Sequence, residues 1–197
     1  MSVIPVKCAV LLSGSGRTLE NFLDKVDAGE LPLDIVAVVS SRSRVRGIEI
    51  ARNRKIPVKV FPRRGFESVE AHNESINNWL DPFKVQMIVL AGYLCFYLPP
   101  AAFTGPVVNI HPALLPKYGG KGYYGHKVHQ AVLDGGETES GCTVHLVDGQ
   151  YDTGLILDQQ KVAVFPDDDV DVLAARVFEA ECELYPRVLG KLAGQLG

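Results

Sequence analysis

The chain has 197 residues, 47% hydrophobic and 22% charged, which fits one globular domain and excludes disordered and fibrous classes. Its 20 Lys and Arg against 23 Asp and Glu leave a net charge of −3, without the basic excess of a nucleic-acid binder, so no nucleic-acid partner is expected. No apolar run approaches the roughly 18 residues of a membrane span, and Met1 to Lys7 lack the charged-then-apolar build of a signal peptide, so neither membrane nor export is expected.

The first half reads as alternating strands and helices. Val6 to Leu12 is an apolar run of the kind a buried parallel strand shows. Ser13-Gly14-Ser15-Gly16 follows, then a helix from Thr18 to Val26. Asp34 to Ser40 is a second buried strand, Val45 to Arg54 a helix, and Pro57 to Phe61 a short third strand. Phe66 to Leu80 reads as a long amphipathic helix, Val85 to Ala91 as a fourth strand and Pro106 to Ile110 as a fifth. This order predicts an α/β fold: a Rossmann-like, open, mostly parallel sheet with helices on both faces.

The second half differs. A Gly- and Pro-rich loop, His111 to Gly125, leads to a helix from His126 to Leu133. Gly141 to Val147 and Leu155 to Val164 read as antiparallel strands in the C-terminal part. Asp169 to Ala193 reads as a long helix, with a kink or break expected at Pro186 and an acidic start at Asp167 to Asp169 that suits the helix dipole. One domain over 1–197 is expected, with an α/β phosphate-binding half (1–105) and a catalytic half (106–197).

In open α/β sheets ligands sit beyond the carboxyl ends of the strands. The first loop there is Ser13 to Thr18. Glycines let backbone approach a ligand, and free N–H groups at a helix start attract an anion. A dinucleotide fingerprint would place a third glycine at Leu19 and an acid where Ser40-Ser41-Arg42 stands. Arg42, Arg44 and Arg46 keep an NADP-binding oxidoreductase as an alternative. A bare tight turn is another; a single substrate phosphate is favoured.

The second feature is Asn109-Ile110-His111. Residues two apart on a strand share a face, and an amide beside an imidazole can stabilise an oxyanion and move a proton. A satisfied core histidine with a turn-capping Asn is the plain alternative. Asp152, in the loop Asp148 to Gly154, either belongs to a simple hairpin turn or orients or protonates His111, and a carboxylate beside that imidazole is expected to favour its charged form and raise its pKa. The other histidines carry less: His145 is expected to be structural, His72 to lie on the polar side of its helix, and His126 and His129 to share a solvated helix face. Cys8, Cys95, Cys142 and Cys182 form no Cys-x-x-Cys, so reduced thiols, a cytoplasmic location and no metal are expected.

The run from Asn109 to Tyr118, NIHPALLPKY, resembles the signature N-[IV]-H-P-x-L-L-P of the folate-dependent formyltransferases. The resemblance covers nearly the whole chain, including the glycine loop, Val89 to Tyr93, Tyr151 to Gly154, and Glu181 to Pro186. It implies transfer of a formyl group from 10-formyltetrahydrofolate, as co-substrate, to the primary amine of glycinamide ribonucleotide in purine synthesis. It implies Asn109, His111 and Asp152 as the catalytic set. Gly16, Arg17 and Thr18 would hold the ribose phosphate and Glu181 the glycinamide portion. Leu94, Cys95, Phe96 and Tyr97 would line the folate pocket, joined by Asn109 and by the loop from Asp148 that closes over the pterin.

The chain departs from the family in places. Relatives commonly read Gly-Ser-Asn where it has Gly16-Arg17-Thr18, and many read Met-Arg-Ile at Leu94-Cys95-Phe96 and have an Arg near Val69. Gly119 to Gly125 is longer than in many bacterial relatives, and Lys121 has no assigned role there. The partners implied are small molecules, with the chain a monomer or homodimer. The alternatives within the family are amino-sugar or aminoacyl-tRNA formylation and formyltetrahydrofolate hydrolysis.

Overall fold

The structure, a computed structural model, describes residues 4–196. The chain divides into two compact units. One runs to Val108 and takes up the chain again from Leu189; the other is Asn109–Val188.

The first unit holds β1 (Val6–Leu12), β2 (Leu33–Ser40), β3 (Val58–Val60) and β4 (Met87–Leu90), with α1 (Arg17–Asp27), α2 (Arg46–Asn53) and α3 (Val69–Leu80) in the connections. β1 pairs in parallel with β2 and with β4, and β2 with β3. From Cys8 to Leu12 every residue of β1 is buried, which explains its continuous apolar run. α1 buries Leu19, Phe22 and Leu23, one stripe at helical spacing.

The second unit holds α4 (His126–Asp134), β6 (Glu139–Leu146) and β7 (Ile156–Ala163), the strands antiparallel as expected. β5 (Val107–His111) and α5 (Val170–Leu196) each pass from one unit into the other along the chain. The strand order is β3-β2-β1-β4-β5-β6-β7 in a seven-stranded sheet, mostly parallel with antiparallel strands at its C-terminal side.

Several boundaries differ from the sequence reading for local reasons. α3 begins at Val69 rather than Phe66, because Ser68 caps it: the Ser68 hydroxyl accepts the Ala71 N–H at 3.0 Å, and residues 63–65 form a separate 3₁₀ turn. α5 begins at Val170, after Asp169 accepts the Val172 N–H at 2.8 Å. It is not ended by Pro186, which lies inside the helix. Leu184, Tyr185 and Val188 are buried on either side of that proline, and this packing offsets the hydrogen bond that proline cannot make. His72 is buried, not on a polar face: its Nε2 lies 2.9 Å from the Phe61 carbonyl and its ring 5.0 Å from that of Phe66.

Candidate active site

In the second unit, Asn109 and His111 sit at the carboxyl end of β5, with one residue between them. His145 is near the end of β6, and Asp152 lies in the loop between β6 and β7. These four side chains meet. His111 Nδ1 is 3.4 Å from Asp152 Oδ2, and His145 Nε2 is 3.5 Å from Asp152 Oδ1, so the two oxygens of one carboxylate face two different imidazoles. The Asn109 amide Nδ2 lies 3.0 Å from His145 Nε2.

Backbone atoms fix these side chains. His111 Nε2 is 2.8 Å from the Tyr118 carbonyl, which can only accept, so that nitrogen carries the proton. The Gly120 N–H donates to Asp152 Oδ2 at 2.9 Å. Tyr118 and Gly120 thus connect the Gly-rich loop to the acid and the imidazole. Asp152 has φ 58°, a left-handed conformation that Asp tolerates better than most side chains.

The electrostatics oppose one expectation from the sequence. A carboxylate beside His111 was expected to raise the pKa of the imidazole, and Asp152 does push it upward. Burial lowers it by more, so on balance His111 lies below its ordinary value and is neutral at pH 7. For Asp152, burial acts to raise the pKa. Contacts with His145, His111 and the Gly120 N–H outweigh it, and the carboxyl stays below its usual range.

His145 was expected to be structural, and it is buried; the sequence did not show that it joins this cluster, 3.0 Å from the Asn109 amide. Thr143 and His145 are buried polar residues on one face of β6. Thr143 accepts the Leu115 N–H at 3.0 Å and donates to the Ala113 carbonyl at 2.6 Å, holding the signature segment. The polar-apolar-polar run Thr143-Val144-His145 repeats the pattern of Asn109-Ile110-His111, and that repetition was the available signal. His126 is exposed as expected, but His129 is only 4% exposed, and burial pushes its pKa down to about 4. Among the described residues no group of three or more His, Cys, Asp or Glu could hold a metal ion.

Asp148 points elsewhere. Its carboxylate accepts the Gln150 N–H and the Thr153 hydroxyl, each at 2.9 Å, and so shapes its own loop. Glu181 lies in α5, close enough to buried Cys142 to add to the upward shift of that thiol.

The remaining predicted residues belong to the first unit. Gly16 precedes α1 with φ 77°, and no side chain caps that helix. A Cβ on Gly16 would stand 2.5 Å from the Cα of Gly47, so glycine is required there by the approach of α2 as well as by φ. The Ser13 hydroxyl contacts the Ser41 hydroxyl at 2.5 Å and accepts the Leu94 N–H at 2.8 Å, tying the glycine loop to the Leu94–Tyr97 segment. α3 holds the far side of that segment. Tyr97 donates its hydroxyl to Asn77 at 2.6 Å, and Asn73, with its amide oriented to satisfy both ends, bonds Phe96 O at 3.1 Å and Leu98 N at 3.2 Å.

A half-buried carboxylate facing two imidazoles, beside an amide donor, suits a reaction that forms an oxyanion and moves one proton. Comparison with known proteins agrees. The family described as formyl transferase matches residues 6–189. A phosphoribosylglycinamide formyltransferase from Haemophilus influenzae is 37% identical, over 93% of this chain and 85% of its own length. A chloroplastic phosphoribosylglycinamide formyltransferase from Vigna unguiculata is 42% identical, and the match spans 94% of this chain but 60% of that one. The crystal structure of phosphoribosylglycinamide formyltransferase from Brucella melitensis superposes with a TM-score of 0.85 at 40% identity, covering 96% of each chain. The chain belongs to the formyl transferase family and groups within it with the phosphoribosylglycinamide formyltransferases.

Proposed function

We propose that the chain transfers the formyl group of 10-formyltetrahydrofolate to the primary amine of glycinamide ribonucleotide, a step of purine biosynthesis. The observation that carries this reading is the convergence of Asn109, His111 and Asp152 in one cluster, joined through His145. The relatives named above support the choice of acceptor.

The uncharged amine attacks the formyl carbon, forming a C–N bond and a tetrahedral oxyanion. The Asn109 amide donates a hydrogen bond to that oxygen. His111, neutral at the start, takes the proton from the amine on Nδ1, the nitrogen that faces Asp152. The imidazolium is then paired with a carboxylate that its own contacts keep ionised. The proton passes to N10 of the folate as the C–N10 bond breaks, leaving tetrahydrofolate and the formylated amide. Gly16, Arg17 and Thr18 bind the ribose phosphate through the uncapped start of α1. Leu94 to Tyr97 line the donor pocket, Glu181 contacts the glycinamide portion, and Asp148 shapes the loop that covers the pterin.

The same reading places the chain in the cytoplasm as a monomer or homodimer; no helix among the described residues is long and apolar enough to cross a membrane. The test is a formyl-transfer assay with glycinamide ribonucleotide, aminoacyl-tRNA and amino-sugar acceptors, and with no acceptor. Product on the ribonucleotide is expected. Formate release without an acceptor, or formylation of another amine alone, overturns the assignment.

A further inference from the structure

We infer that His145 is a positioning residue: as the neutral tautomer protonated on Nδ1, it fixes which end of the Asn109 amide faces the reacting carbonyl. This rests on the reaction proposed above, but its central claim concerns a proton and an amide in the resting protein.

Each atom in the chain of contacts has one role available. His145 Nδ1 is 2.8 Å from the Leu146 carbonyl, an acceptor only, so Nδ1 bears the hydrogen. In a neutral ring Nε2 is then a bare lone pair. The Asn109 Nδ2 group sits 3.0 Å from it and donates one of its two hydrogens. The second N–H of the same amide remains for the oxyanion. With the amide reversed, its carbonyl oxygen would oppose the His145 lone pair and the donor at this end would be lost.

The same contacts hold the ring in place: its side chain is 2% exposed, and Asp152 Oδ1 lies 3.5 Å from Nε2, farther than the Asn109 amide at 3.0 Å. A proton at Nε2 would set two donors against each other at the Asn109 contact and turn the amide around.

Two measurements test this. Nitrogen-15 NMR of histidine-labelled protein, with His145→Gln assigning the signal, reads the tautomer without any turnover. A protonated Nδ1 and bare Nε2 at neutral pH is expected; the opposite tautomer or a charged ring overturns the inference whatever reaction the protein runs. The second is kinetic. Gln offers a neutral acceptor near the Nε2 position and Leu offers none. His145→Leu should lower kcat by about 10²-fold, the lower range for loss of an oxyanion donor, with both KM values within a few-fold. His145→Gln should recover most of that loss. A folded His145→Leu with the wild-type kcat, or equal kcat losses in both variants with unchanged melting, overturns it. A wild-type protein that formylates no acceptor fails the proposed function while leaving the NMR result standing.

Discussion

His111 Nδ1 and Asp152 Oδ2 face each other at 3.4 Å, their side chains 5% and 11% exposed. Burial lowers the pKa of His111 and Asp152 partly restores it. Asp152→Asn keeps the shape, can still accept the Gly120 N–H, and tolerates the left-handed backbone at this position. It removes the charge, so the pKa of His111 falls further. Turnover that needs neutral His111 then persists to lower pH, and the acid limb of the kcat profile should move down the pH scale. The plateau should fall by about 10²-fold or more, because the imidazolium formed during transfer has lost its counter-charge. Profiles of both proteins, with thermal melts, check this; a folded variant with wild-type plateau kcat removes Asp152 from the chemistry.

How much of this was legible in the sequence depends on the kind of contact. The buried strands β1 and β2 announce themselves as apolar runs, and the spacing of Asn109 and His111 places both on one strand face. For Asp152 the residues left two readings open and the family resemblance chose between them, since no spacing rule brings a loop acid to a strand end. The Tyr118 carbonyl and the Gly120 N–H were invisible, because a backbone partner depends on the path of the loop and not on residue type. His72 was misjudged because a histidine on an amphipathic helix gives no sign in the sequence of which face it takes, and here its ring is buried against the Phe61 carbonyl.

The glycine loop separates a structural glycine from an open one. Gly16 has φ 77° and the Gly47 backbone against it, whereas a Cβ on Gly14 would meet nothing within 4 Å. Gly16→Ala should therefore destabilise the fold by about 1–3 kcal/mol, the usual cost of a strained backbone position. Gly14→Ala should melt like the wild type, yet raise KM for the ribonucleotide and leave the folate KM alone, because backbone near the phosphate has lost its clearance. Unfolding curves and separate KM values distinguish the two; a Gly14→Ala enzyme with unchanged ribonucleotide KM places the phosphate elsewhere.

Asp168 locks the approach to α5. Arg176 donates Nη1 to Asp168 Oδ2 at 2.5 Å and Nη2 to Oδ1 at 2.8 Å, and the Phe165 N–H adds a bond at 2.8 Å. The Arg176 hydrogen bonds, foremost, hold the Asp168 carboxyl down at about 2. A depressed carboxylate pKa contributes stability that is complete above the ordinary value near ~4 and is lost as pH falls from there through about 2. Asp168→Asn should thus melt a few degrees below the wild type at pH 7, and the gap should narrow as pH drops across that window. Arg176→Lys should show a smaller loss, since an ammonium cannot bridge both oxygens. A gap that is constant with pH would mean that the carboxylate charge contributes nothing.

The cysteines offer a direct test of the donor pocket. Cys8 and Cys142 are buried, and burial pushes both thiols up, Cys142 to about 12, so neither yields a thiolate at neutral pH. Cys95 and Cys182 are half-buried. Cys95 lies in the segment held by Ser13 on one side and by Asn73 and Asn77 on the other. That segment is fixed mainly through backbone groups, so the thiol itself is dispensable. Cys95→Ala should keep kcat within a few-fold of the wild type. In a Cys182→Ser background, a bulky maleimide should attach at Cys95 alone, as mass spectrometry of the digest would show. The adduct should abolish folate binding by calorimetry while the ribonucleotide still binds, because the two ligands use different loops of the first unit. Labelled protein that binds folate normally would move the donor pocket away from Leu94 to Tyr97. Loss of both ligands would mean that the label had disturbed the Ser13 link between this segment and the glycine loop.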